Sequence, residues 1–164
     1  MPRPYRPLAF ANEFIIKALP EGVEHMKLQK LVYYCYGWWI TYQNDHIIGE
    51  APQVWRYGPV FLSMYHALKH HGRSLITTIQ SDYLFEPAPR VDIDDKDAIQ
   101  LVEWVWHKYG QYTAYELSEM THAIGTAWRR VAEQHNWQVP SSTPIPDDMI
   151  REDNKIAAEQ FGLI

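Results

Sequence analysis

The sequence predicts a mainly α domain of the α+β class, organised around a central helix at about residues 27–42 with a small β-hairpin near 47–57. Three observations carry this. Leu28, Leu31, Val32, Cys35, Trp38, Trp39 and Tyr42 recur at the spacing of one helical face. Helix-start residues stand before further apolar stripes at Asp94-Asp95, Thr113 and Thr126. Runs with strand character are short, and the clearest are Ile47-Ile48 and Gln53-Val54-Trp55-Arg56-Tyr57.

In chain order, residues 1–7 are a proline-rich arm, expected to be flexible. Ala11, Phe14, Ile15, Ala18 and Leu19 mark a first amphipathic helix, which Pro20-Glu21-Gly22 ends. The central helix follows, with Lys27, Lys30 and Tyr34 expected on the side away from its apolar stripe. Gly37 costs about 1 kcal/mol inside a helix, so a neighbouring element is expected to pass close to it. Ile47-Ile48 and Gln53 to Tyr57 are the expected arms of the hairpin. Gly58-Pro59 reads as a helix start, since proline at the first helical position sacrifices no bond. Val60, Phe61, Met64, Tyr65 and Leu68 form the stripe of that helix, and Gly72 stops it.

From Arg73 to Val91 no period holds, and Leu75 to Ile79 and Tyr83 to Phe85 are candidate short strands. Asp94 or Asp95 then caps a helix carrying Ile99, Leu101, Val102, Val105 and Trp106. Thr113-Ala114-Tyr115-Glu116 has the spacing of a capping box and opens a helix through Leu117 and Met120 to His122. Thr126 caps another with Trp128, Val131 and Ala132. Residues 141–164 are a proline-rich connector and a polar terminal helix. With no internal repeat, the 164 residues read as one domain.

Composition narrows the function. A hydrophobic fraction of 46% excludes a disordered chain, and no apolar run is long enough to span a bilayer. The proline-rich start lacks the apolar core of a secretory signal, and one cysteine forms no internal disulfide, so the cytoplasm is the expected compartment. A formal net charge of -5 counts against nucleic acid, which clustered lysines and arginines bind. Seven tryptophans and eleven tyrosines suit a surface that meets another protein, or a core that is simply aromatic.

The chemistry-bearing constellations are weak. His66 and His70 stand at i, i+4 but lack the further ligands of a zinc pattern. Cys35 lies on the apolar stripe, where a thiol is inert. Glu116, Glu119 and His122 supply acid and base without a nucleophile or oxyanion hole beside them. No catalytic residue, metal or cofactor is assigned. Two alternatives to a binding module stay open: a helix-turn-helix DNA reader at Leu117 to Val131, with Arg129-Arg130 on its second helix, and a small hydrolase or metalloenzyme.

Three blocks then stand out. They are Lys27-Leu28-Gln29-Lys30-Leu31-Val32-Tyr33-Tyr34, Val54-Trp55-Arg56-Tyr57-Gly58-Pro59-Val60 through Tyr65, and Glu116-Leu117-Ser118-Glu119-Met120-Thr121-His122 with Trp128. Together they resemble the Panacea, or SocA-like, antitoxin domain, common in phage-associated proteins, over about Ala9 to Trp137. The resemblance implies a mostly helical module that neutralises a cognate toxin by protein–protein contact, without cofactor or reaction. Some relatives act as adaptors, which adds a protease of the Clp type as a second partner. The chain departs from the pattern at Cys35, at Gly49-Glu50, and at Ala127, where proline is expected before Trp128.

Within the blocks, Lys27, Lys30, Tyr33 and Tyr34 are the leading partner-binding candidates, with Trp55, Tyr57 and Tyr65 beside them. Leu28, Gln29, Gly58, Pro59, Glu116, Leu117, Ser118, Thr121, His122 and Trp128 carry the motif as structural or binding residues. Thr121-His122 with Trp128 is expected to form a buried hydrogen-bonded corner.

Overall fold

Eighteen residues in a row, His25 to Tyr42, form the helix on which everything else rests, and thirteen of them are buried. Its surroundings explain why. In the computed structural model, which describes residues 2–162, seven α-helices and one two-stranded hairpin are arranged about it. They are α1 (Pro7–Lys17), α2 (His25–Tyr42), β1 (Gln53–Trp55), β2 (Gly58–Val60), α3 (Leu62–Leu68), α4 (Lys96–Tyr109), α5 (Ala114–His122), α6 (Ala127–Gln134) and α7 (Asp147–Gln160). A single 3-10 turn, Lys69–His71, follows α3. Helices α1, α4, α5 and α7 and strand β2 all pack on α2. Among the described residues no helix is long and apolar enough to cross a membrane.

The helix starts follow local chemistry. Asp95 caps α4 by accepting from the Ala98 N–H at 3.1 Å. Thr113 and Glu116 form the full capping box of α5, at 3.1 and 3.0 Å. Thr126 caps α6. Gly37 is the point where α7 crosses α2: a Cβ there would lie 3.0 Å from Asn154 Nδ2 and 3.0 Å from Ile150 Cγ2. The crossing is tied by Arg151 Nε donating to the Ile40 carbonyl at 2.8 Å and by Tyr36 donating to Asp147 at 2.6 Å.

Four expectations are corrected. The hairpin pairs Gln53 with Val60, Val54 with Pro59 and Trp55 with Gly58, closed by a two-residue turn at Arg56-Tyr57. Gly58-Pro59 is therefore strand and not a helix start, and α3 begins at Leu62. Proline is tolerated at the middle pair because a strand's N–H there points away from its partner. Ile48 pairs instead with Tyr5: the Tyr5 N–H donates to the Ile47 carbonyl at 2.7 Å, and the Gly49 N–H to the Tyr5 carbonyl at 2.9 Å. That pairing ties down the proline-rich arm, in which Tyr5 is buried and Arg3 grips Asp95 through two bonds at 2.8 and 2.6 Å.

Third, 75–79 and 83–85 contain no strand; Ile76 makes a lone bridge to Val23, and Leu84 and Phe85 are exposed. A candidate strand without a free edge beside it has nothing to pair with. Fourth, α2 is not one-sided. Tyr42, on the expected inward stripe, is half exposed, while Lys30 and Tyr33, off that stripe, are 1% and 5% exposed. A helix packed on all sides has no solvent face for periodicity to find.

Candidate functional site

The hairpin leaves four backbone carbonyls within reach of neighbouring helices, and side chains from both sides take them. From α5 and α6, Trp128 Nε1 donates to the Trp55 carbonyl at 2.8 Å, and Ser118 Oγ to the Tyr57 carbonyl at 2.8 Å. Between them, His122 Nε2 lies 3.0 Å from the Arg56 carbonyl, its Nδ1 2.5 Å from that of Ser118. Thr121 Oγ1 donates to the Ser118 carbonyl at 2.8 Å, and the His122 and Trp128 rings sit 3.9 Å apart. The expected hydrogen-bonded corner is therefore present, with Thr121 and Trp128 buried and His122 only half-buried, and it holds the hairpin tip.

From α2, Lys30 Nζ donates to the Pro59 carbonyl at 3.2 Å. Gln29 brackets Phe61, accepting from its N–H at 2.9 Å and donating to its carbonyl at 3.4 Å. Gln29 Nε2 also lies 3.0 Å from His25 Nε2. Burial pushes His25 down to about 4, so the ring is neutral and Nε2 is free to accept. Gly58 stands at the centre with φ +114°, where a Cβ would meet Lys30 Cε at 2.7 Å and Thr121 Oγ1 at 2.8 Å. The three sequence blocks thus meet in one bonded unit: the first and third supply side chains, and the second supplies backbone.

Lys30 is the unusual member. Its ammonium is buried with a single carbonyl partner, and burial pushes its pKa from 10.5 down to about 7. It forms the floor of a cleft of about 790 Å³. The hairpin turn (Trp55, Arg56, Tyr57) makes one wall, α5 (Tyr115, Ser118, Glu119, His122) another, and the start of α2 with Tyr65 and Arg73 the rest. Tyr65 bridges the walls, 4.7 Å from Trp55 and 5.8 Å from His25 between ring centroids.

Five of the seven leading partner candidates reach or flank this region. Trp55, Tyr57, Tyr65 and Lys30 line the cleft. Lys27 lies just outside, half buried, donating to the Gly110 carbonyl at 2.6 Å with Trp106 beneath it. Tyr33 and Tyr34 do not reach it. Tyr34 stacks on Tyr109 at 3.9 Å and 4°, Tyr33 is buried, and both phenols are pushed up by burial. Periodicity put these two with the lysines on a free face, and α4, α5 and α7 occupy that face instead. Leu28 and Leu117 are core, and Glu116 is held in its capping box.

His25, Arg56, Arg73 and Tyr115 were not singled out by the sequence. His25 had a usable signal, standing four residues before Gln29 on the same helical face. Arg56 lay inside a signature block, and Arg73 carried no signal at all.

The remaining constellations do not assemble. His66 is exposed on α3, and His70 sits in the 3-10 turn against His71. Among the described residues no group of three His, Cys, Asp or Glu is placed to hold a metal ion. Cys35 is buried and its thiol is pushed well up by desolvation. Arg129 and Arg130 are held by Glu133 at 3.0 Å and Glu152 at 2.8 Å, and each also donates to a backbone carbonyl. Ala127 donates its N–H to Asp153 at 3.2 Å, a bond that the proline expected there has no hydrogen to make.

A sequence model of the family described as "Antitoxin SocA-like, Panacea domain" matches residues 28–129. The match begins at Leu28, beside Gln29 and Lys30, and ends just beyond Trp128, so it takes in the bonded unit apart from His25. A relative named Antitoxin SocA, from Caulobacter vibrioides (strain NA1000 / CB15N), is 25% identical over 153 residues, covering 88% of this chain and 79% of its own. No solved structure matches.

Proposed function

Because the chain belongs to the Antitoxin SocA-like, Panacea domain family, we propose that it is an antitoxin-type binding module that neutralises a cognate toxin by direct protein–protein contact. The observation that carries this is the coincidence of the family match with one side-chain-to-backbone unit. Every polar motif side chain in that unit is engaged with backbone, an arrangement suited to displaying a rigid surface. On this reading the module acts without catalysis or cofactor. The cytoplasm and a phage or prophage setting complete the proposal.

Helix-turn-helix DNA binding is not favoured. Arg129 and Arg130, its expected phosphate contacts, already have carboxylate partners, and α6 turns Trp128 and Val131 inward.

Co-expression tests the proposal. The product of the neighbouring reading frame is expected to arrest growth alone, to be harmless with this chain, and to co-purify with it. A non-toxic neighbour that does not co-purify overturns the reading. Toxin half-life then separates two forms of the activity. Plain inhibition leaves toxin accumulating in an inert complex, whereas an adaptor shortens its half-life only when a Clp-type protease is active.

A further inference from the structure

The chain has eight arginines and twenty carboxylate side chains. Six arginines, Arg3, Arg6, Arg90, Arg129, Arg130 and Arg151, are ion-paired. Among the described residues, the two whose side chains have neither an ion pair nor a hydrogen bond are Arg56 and Arg73, and both line the cleft with Lys30. Arg56 projects from the hairpin turn with its guanidinium 5.4 Å over the Tyr57 ring, a contact that leaves its edge N–H groups free. The turn beneath it is held by His122 and Ser118, so its position is set by the fold.

Two carboxylates, Glu24 and Glu119, share the cleft, and neither pairs with these arginines. His25 is neutral, as shown above. A protein of net charge -5 therefore gathers two uncommitted guanidinium groups and a buried amine in one cleft. The aromatic walls set the size of the guest. Tyr57 on the hairpin and Tyr115 on α5 are 57% and 71% exposed, and exposed aromatics of this kind suit a protein guest.

We infer that this cleft is the toxin-docking surface and takes an acidic segment of the partner protein, with carboxylates on Arg56 and Arg73. The inference rests on the antitoxin reading for the identity of the partner, while the chemistry of the segment rests on the cleft alone.

Two measurements on the full chain test it separately from the function. In the first, a random twelve-residue peptide library displayed on phage is panned against the protein. The expected result is enrichment of Asp- and Glu-containing peptides whose binding falls about tenfold or more in the Arg56→Glu/Arg73→Glu variant, and falls for the wild type between about 50 and about 500 mM salt. Both side chains are exposed and unbonded, so the variant is expected to melt as the wild type does, and Arg56→Gln/Arg73→Gln gives an intermediate loss. Neutral or basic peptides, peptides indifferent to the reversal, or no enrichment overturn the inference.

In the second, the neighbouring toxin is titrated against both proteins. Weakened capture supports the docking site. Unchanged capture with neutralisation intact overturns it while leaving the antitoxin reading standing. Self-association of the wild type that the reversal abolishes also overturns it, since the guest is then a second copy of this chain.

Discussion

Replacing Lys30 by methionine tests the physical account of the site most directly. The amine is 1% exposed, has one partner in the Pro59 carbonyl, and is lowered from 10.5 to about 7. Between these values the unfolded chain holds a proton that the folded chain has shed. The unfolded state binds more protons there, so stability rises with pH through this window. From pH 6 to pH 9 the two values give a gain of about 2–3 kcal/mol for the wild type. With a urea m-value of about 2 kcal/mol/M, that is a midpoint shift of roughly 1 M. Cys35 and the buried phenols of Tyr33, Tyr36 and Tyr109 act in the opposite sense, because burial raises them and the unfolded chain ionises first. They are common to both proteins and cancel in the difference. Lys30→Met is therefore expected to be more stable than the wild type at pH 6. By pH 9 most of that advantage is gone, and the lost bond to Pro59 costs the variant about 1 kcal/mol. A difference that stays flat from pH 6 to pH 9 would refute the argument, because the amine would then not be losing its proton as burial demands.

Three further substitutions probe the same frame. Gln29→Leu strands the buried N–H of Phe61, whose carbonyl keeps the Tyr65 N–H at 2.9 Å, and is expected to cost about 1–3 kcal/mol in urea unfolding. Gly58→Ala meets both a φ of +114° and a collision with Lys30 and Thr121, for an expected loss of about 1–3 kcal/mol in thermal melts. Gly37→Leu drives a side chain into Ile150 and Asn154; amide exchange is expected to show 147–160 losing protection before the rest, with about 1–3 kcal/mol of destabilisation. Uniform loss across the chain would show that α7 is not a separable layer.

Much of the helical frame was legible because its signals are local. The Asp95 and Thr126 caps and the Thr113–Glu116 box act within one turn of chain, and Gly37 marked a crossing because only a close neighbour compensates a mid-helix glycine. The three blocks were likewise visible as patterns, and so was the corner formed by Thr121, His122 and Trp128. What each block does was not visible, because its partners lie 32 to 73 residues away: Gln29 with Phe61, Ser118 with Tyr57, Trp128 with Trp55.

The hairpin register was misread for the same reason. Ile47-Ile48 had two possible partners, and the docked arm at Tyr5 took the pairing that the 53–57 run was expected to make. Sequence by itself therefore determined where helices start and stop, which residues are apolar, and which family pattern the chain carries, all properties of neighbouring residues. Only the tertiary structure decided that Lys30 and Tyr33 are buried, that Gly58-Pro59 is strand, and that Arg56 and Arg73 stand unpaired over one cleft. Burial and charge pairing belong to the space between elements, and no period along a single helix records what packs against its other side.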